Sequence, residues 1–280
     1  MDNADLPVAL TFDLDAETLW LARDPASANK PIWLSQGTYG PREGLPRILA
    51  LLRRYDLRCT FFIPGLVIER YPDAARAIVA DGHEVAHHSY SHRWVDTLTE
   101  AEEREEMARG VEIIQNLTGR PPLGYRSPAA EFSERTIDLM LEYGIQYSSN
   151  MFDADSPYLL TQHRQPTDIV ELPFAWALDD APFFLYSSRI PGRAMFPPSA
   201  VLETWQREFD GLAAEPDRVF VLAMHPQIIG RPSRMWLLEE LIRHARTHPR
   251  TWFARCDEIV AKVRPRLEAR RYESGEYARR

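Results

Sequence analysis

The segment Val8-Ala9-Leu10-Thr11-Phe12-Asp13-Leu14-Asp15-Ala16-Glu17 decides between the two architectures open to this chain. Val8 to Phe12 is a short β-rich run, read as a strand buried early in a core. In an open sheet that binds a dinucleotide, a glycine-rich phosphate loop follows such a strand. Here the strand runs into two aspartates and a glutamate, which suits metal or proton chemistry. A barrel is therefore the preferred architecture.

Downstream, strands and helices alternate. Leu45 to Tyr55 reads as a helix with Ile48, Leu51 and Leu52 on one face, Cys59 to Ile63 as a strand and Pro72 to Ala80 as a helix. Thr99 and Glu102 form a capping box for a helix that carries Met107, Val111 and Ile114 and stops at Gly119. Leu123 to Arg126 resumes as strand, and Ser133 caps a helix closed by Gly144. Ile169 to Leu172 and Val219 to Met224 are strands around a helix from about Ser199 to Ala213. Met235 to His244 is the last long helix, with a short strand at Thr251 to Ala254. Such alternation means parallel strands with helical crossovers. Ala16 to Gly44, with Pro25, Pro31, Gly37, Gly40 and Pro41, reads as a long functional loop: a lid, a subunit contact or a pocket wall. No repeat or linker divides the chain, so one barrel domain is expected over 1–263, with a charged tail at 264–280.

A length of 280 residues suits a single α/β barrel, and 45% hydrophobic residues can fill its core. A net charge of −8 argues against nucleic-acid and anionic-membrane partners, both of which reward a basic face. Cys59 and Cys256, far apart in apolar surroundings, read as free core thiols. Met1 to Leu6 has two aspartates and no basic run, unlike an ordinary signal peptide, and no apolar run approaches the ~18 residues of a membrane span. A cytoplasmic protein is expected.

Asp13 and Asp15 lie at the end of the first strand. Residues two apart share a face, so both carboxylates can enter one cavity and raise each other's pKa, which helps one act as a base. Capping of a following turn explains the pair equally well. The denser signal is Gly82-His83-Glu84-Val85-Ala86-His87-His88-Ser89-Tyr90-Ser91-His92, which holds half of the eight histidines. On a helical turn, His88 and His92 share a face and can grip one ion. With Asp15 they make a two-histidine, one-carboxylate site with open positions, suited to zinc and also to iron, cobalt or manganese. Arg126 closes another strand and can hold Asp13 ionised; a surface salt bridge is the plainer explanation. His225 ends the strand Val219 to Met224, at the rim where barrel chemistry sits, although a buried histidine there needs no function. Phe174-Ala175-Trp176-Ala177-Leu178-Asp179-Asp180 can wall a pocket through Trp176 and orient His225 through its acidic end, or can be an ordinary core turn.

Taken in order, these segments resemble the polysaccharide deacetylase family, also called the NodB-homology or carbohydrate esterase family 4 group, over roughly Val8 to Ala254. Thr11-Phe12-Asp13-Leu14-Asp15 looks like its first motif with one residue inserted between the aspartates. His88-Ser89-Tyr90-Ser91-His92 fits the second, Arg126-Ser127-Pro128 the third and Leu222-Ala223-Met224-His225 the last. Ala86-His87-His88, Tyr147-Ser148-Ser149, Glu171-Leu172-Pro173 and His225-Pro226-Gln227-Ile228-Ile229-Gly230-Arg231 resemble a cytosolic branch that holds intracellular peptidoglycan-deacetylase-like proteins, cyclic imidases and an allantoinase. The resemblance implies a deformed (β/α) barrel, commonly a homotetramer. It implies Asp13 as base, Asp15, His88 and His92 as ligands of a divalent metal (Zn2+ first), Arg126 steadying Asp13, and His225 as acid. The family's third motif has an aromatic residue after the proline. This chain has Ala129, whose backbone N–H can still serve as the oxyanion donor.

The expected activity is metal-dependent hydrolysis of a non-peptide C–N bond. The substrate is an N-acetylated sugar or glycan fragment, or a small cyclic imide or ureide. A catalytically idle carbohydrate-binding or scaffold protein on the same barrel is the alternative.

Overall fold

A computed structural model describes residues 5–186 and 194–267. Among these residues nine strands form one curled, mostly parallel sheet, a half-barrel. In chain order they are β1 (Leu6–Asp13), β2 (Thr60–Ile63), β3 (Glu84–His87), β4 (Gly124–Tyr125), β5 (Tyr147–Ser148), β6 (Tyr158–Gln162), β7 (Gln165–Glu171), β8 (Phe220–Met224) and β9 (Thr251–Phe253). Across the sheet the order is β6-β7-β5-β4-β3-β2-β1-β8, and β9 pairs with the first half of β1. Among the described strands only the β6–β7 pair is antiparallel.

Every residue of β1 is buried, as expected of a parallel strand covered on both faces. Its period of two sorts the side chains. Val8, Leu10 and Phe12 join the outer cluster with Leu45, Ile48, Leu237 and Leu241 from the surrounding helices. Ala9 joins an inner cluster with Phe62, Ala86, Val221 and Ala223, and Thr11 and Asp13 continue that inner row. Full burial of each large apolar side chain stabilises by ~1.5–3 kcal/mol. In β8 the same alternation puts Leu222 and Met224 outside and Val221, Ala223 and the following His225 inside. Because β1, β3, β4, β5, β7 and β8 run the same way, the residues that end or follow them share one rim. This is the end of a parallel barrel where sites are built.

Two expectations about the chain path are corrected. The segment 16–44 is not a loop: it holds helices Thr18–Arg23 and Pro31–Tyr39, a 3-10 turn Pro25–Asn29 and a π turn Gly40–Gly44 that runs into helix Leu45–Arg54. Its prolines occupy first helical turns, where a missing N–H costs nothing. Its glycines permit close packing. A Cβ on Gly37 would stand 2.5 Å from the Ala16 carbonyl oxygen, and one on Gly44 2.1 Å from that of Pro226. Secondly, His88 and His92 lie in an irregular loop after β3, not on a helical turn, with Ser89 at φ 64 and His92 at φ 65. The β6–β7 hairpin carries no turn signal in the sequence, because its turn residues, His163 (φ 50) and Arg164 (φ 62), adopt positive φ without glycine or asparagine.

The capping box at Thr99 and Glu102 and the left-handed Gly119 stop are present as expected. Both cysteines are free and buried. Among the described residues no helix is long and apolar enough to cross a membrane. Most of the expected 264–280 tail, residues 268–280, lies outside the described residues.

Candidate metal and catalytic site

Two chain segments, the stretch after β1 and the loop after β3, bring Asp15, His88 and His92 together at the rim. One ligand atom from each lies within 4.8 Å of the others, and all three residues are buried. Nε2 of His88 is 3.3 Å and Nε2 of His92 3.7 Å from Asp15 Oδ1. Nδ1 of His88 meets the Arg126 carbonyl oxygen at 2.7 Å. A carbonyl can only accept, so Nδ1 carries the proton and Nε2 faces the cluster; burial would lower this imidazole's pKa, but the Asp15 and Asp13 carboxylates raise it. His92 is pushed down to about 4 by burial, which leaves a neutral ring. Burial would raise the Asp15 carboxyl, but His92, His88 and His225 outweigh it and hold Asp15 well below the carboxylate range. The expectation that the paired aspartates raise each other therefore fails for Asp15, because imidazoles surround it.

The donor set fits a cation. Asp15 Oδ1 is buried without a hydrogen-bond donor, an arrangement that costs on the order of 1–3 kcal/mol or more unless something positive satisfies it. The other Asp15 oxygen accepts from Gln227 Nε2 at 3.4 Å and lies 3.6 Å from His225 Nε2.

Asp13, the last residue of β1, meets Arg126 instead: Nη1 donates to Asp13 Oδ1 at 2.8 Å and to Thr11 Oγ1 at 2.9 Å. The rest of the guanidinium is tied to Ser149, through Nε to its carbonyl at 3.1 Å and Nη2 to its hydroxyl at 2.8 Å. Its carbon lies 4.2 Å from the Phe62 ring centroid and 5.0 Å from that of Phe174. The pair is thus a buried, oriented one and not a surface salt bridge.

His225 faces a second carboxylate. Segment 179–180 runs beside β8 through a parallel bridge between Asp179 and Ala223, and this places Asp180 against the ring. His225 Nδ1 lies 2.6 Å from Asp180 Oδ1, and the His225 N–H donates to Asp180 Oδ2 at 3.0 Å. Burial would lower this imidazole's pKa, but Asp180, with Asp15 and Asp179, raises it well above its ordinary value.

Trp176 lies apart from these buried groups. It is 51% exposed and stacks on Phe152, with centroids 4.8 Å apart. Phe152 in turn packs at 5.0 Å from Phe174, whose ring adjoins Arg126. A ladder of aromatic rings therefore leads from the buried guanidinium to solvent. Ala129 is exposed in a left-handed turn at φ 60.

Sequence reasoning passed over Asn150 and quoted Glu171 and Gln227 only within stretches that carry the resemblance, without a role for either. Asn150 Oδ1 accepts from the Ser127 N–H at 2.7 Å, and Glu171 Oε1 accepts from the N–H groups of Asn150 and Met151 at 2.6 and 2.9 Å. Together they brace the Arg126–Ala129 turn. Their shared signal is position: polar residues that end or follow a strand at the catalytic rim.

Comparison with known proteins agrees with the geometry. The description "Polysaccharide deacetylase" matches residues 27–148. A peptidoglycan deacetylase of Helicobacter pylori is 31% identical, over 91% of this chain and 95% of that protein. A crystal structure assigned to the polysaccharide deacetylases, from Mycobacterium smegmatis, superposes with a TM-score of 0.91 at 35% identity, covering 98% of this chain and 96% of the other. The crystal structure of Puue allantoinase superposes with a TM-score of 0.80 at 26% identity, over 95% and 92% of the two chains. The chain belongs to the polysaccharide deacetylase family, hydrolases that act on non-peptide carbon–nitrogen bonds.

Proposed function

We propose that the protein is a metal-dependent deacetylase, with Asp15, His88 and His92 holding one divalent cation, Zn2+ first among the candidates. The observation that carries this reading is the buried Asp15 oxygen that no donor satisfies, set between two imidazole nitrogens. A bound cation there supplies Lewis-acid polarisation of the substrate carbonyl and makes water more acidic. The chain's own groups do the rest. Water adds to the amide carbon while Asp13, fixed by Arg126, takes its proton. The Ala129 N–H donates to the developing oxyanion. His225, held by Asp180, gives a proton to the departing nitrogen as the C–N bond breaks. An acetate and a free amine result when the substrate is an N-acetyl group.

An N-acetylated sugar is the favoured substrate. The full-length likeness to a peptidoglycan deacetylase supports it, and so does the exposed Phe152–Trp176 pair, whose rings suit the apolar face of a sugar. A small cyclic ureide or imide is the second reading, favoured by the likeness to an allantoinase over nearly the whole chain. The same proposal takes residues 1–263 as the catalytic unit and includes a cytoplasmic location and a homotetramer. An assay of chitooligosaccharides, succinimide-type imides and allantoin, each with chelated and zinc-loaded protein, tests it. Acetate release from the sugars by the loaded protein alone is expected. Equal turnover in both forms would refute metal dependence, and turnover of the imides or allantoin alone would refute the sugar.

A further inference from the structure

The loop that carries both candidate histidine ligands is built around a carboxylate from another element. Glu106 sits on the helix Glu100–Thr118 and is buried. Its Oε2 accepts from the Tyr90 N–H at 3.0 Å, from the Ser91 N–H at 2.7 Å and from the Ser89 hydroxyl. Its Oε1 accepts from the Ser91 hydroxyl at 2.5 Å. Four hydrogen bonds thus converge on one side chain from the three residues between His88 and His92.

The backbone explains why such an anchor is needed. Ser89 and His92 both hold positive φ without being glycine, which costs on the order of 1 kcal/mol or more each and persists only where the surroundings over-determine it. The outer side of the loop is fixed by its carbonyls: Gly65 N–H donates to Ser89 at 3.1 Å and Leu66 N–H to Tyr90 at 2.8 Å. Glu106 gathers the N–H groups on the opposite side. A buried carboxylate is costly unless hydrogen-bonded, and here the loop supplies the donors, so loop and carboxylate stabilise each other in one geometry.

We propose that Glu106 is a positioning residue for the cation site: its carboxylate sets the separation and orientation of the His88 and His92 rings before an ion arrives. This rests on the reading of Asp15, His88 and His92 as ligands. Glu106 touches none of the reacting groups and acts only through residues 89–91. Groups that orient metal ligands from behind typically change metal affinity by ~10–100-fold when removed.

The test is a zinc titration of the chelated full chain against a competing chelator, for the wild type, Glu106→Gln, Ser91→Ala and His88→Ala. Circular dichroism and the metal-free urea midpoint report whether each variant is folded. Folded Glu106→Gln is expected to bind zinc ~10–100-fold more weakly, and saturating zinc should bring its turnover back to within a few-fold of wild type. Ser91→Ala, which loses one of the four bonds, should weaken zinc by a smaller factor and serves as the deciding variant if Glu106→Gln does not fold. Wild-type zinc affinity in the folded Glu106→Gln chain, or in Ser91→Ala where that chain is unfolded, would overturn the proposal while the ligand reading stands. A wild type that binds no zinc, or a His88→Ala variant that binds it normally, overturns the ligand reading and this proposal together.

Discussion

His225 and Asp180 are joined twice: the ring nitrogen Nδ1 lies 2.6 Å from one carboxylate oxygen, and the backbone N–H of the same histidine donates to the other at 3.0 Å. One carboxylate therefore fixes both the position and the tautomer of the imidazole and leaves Nε2 directed toward the site. Asp180→Asn preserves the shape but removes the charge that favours the protonated ring. We expect kcat to fall by ~10²- to 10⁴-fold, the range lost with a general acid, while metal content stays at the wild-type level. Steady-state kinetics with elemental analysis checks both halves. Loss of the metal with the activity would show that Asp180 belongs to the ligand set instead.

Arg126 anchors a further buried pair, with Asp13. It is 2% exposed and spends its donors on Asp13, Thr11 and Ser149. Arg126→Ala strands a buried carboxylate, so a stability loss of ~3–5 kcal/mol is expected from urea denaturation. Asp13→Asn should instead leave a folded, metal-binding protein without turnover, because the amide accepts from Arg126 but cannot take a proton from water.

A buried carboxyl at the far end of the barrel gives a pH signature separate from catalysis. Glu84 is pushed up to about 7 by burial, with the nearby Asp257 adding to it. It accepts from the Thr60 and Tyr147 hydroxyls at 2.6 and 3.0 Å. A folded-state pKa above the unfolded one means that the folded protein binds the extra proton. The stability this gives is complete below the ordinary glutamate value and is lost as pH rises from there to about 7. Relative to Glu84→Gln, the wild type should lose on the order of 3 kcal/mol between pH 5 and 8. Urea midpoints for the two proteins across that range provide the comparison, and parallel curves would show that Glu84 does not titrate there.

Trp176 should matter to substrate and little to stability. It is half exposed and stacked on Phe152. Trp176→Ala is expected to raise KM by ~3- to 10-fold at a nearly constant kcat, as loss of about 1 kcal/mol of stacking implies. Its urea midpoint should stay within the range of ordinary surface substitutions. An unchanged KM would remove the aromatic ladder from substrate binding.

Much of this arrangement is legible in the sequence because parallel strands deliver their ends to one rim. Val8 to Phe12 alternates between two buried faces, so Asp13 had to lie at a strand end on the inner row. His225, after the apolar run of β8, follows from the same logic. What stayed hidden depends on contacts remote in sequence. Prolines 25, 31 and 41 look like loop signals, yet they start helical turns packed at the barrel mouth. The His88–His92 spacing suggested a helical turn, whereas strained backbone held by Glu106 brings the rings together. Sequence spacing alone cannot distinguish those two ways of placing two imidazoles on one ion.

The most direct measurement is the number of cations held per chain, read by elemental analysis after zinc loading and removal of the excess. We expect one ion in the wild type, in Asp13→Asn and in His225→Ala, and none in Asp15→Ala, His88→Ala or His92→Ala. A wild type without a stoichiometric ion, or a His88→Ala chain that keeps it, would contradict a cation held by those three side chains.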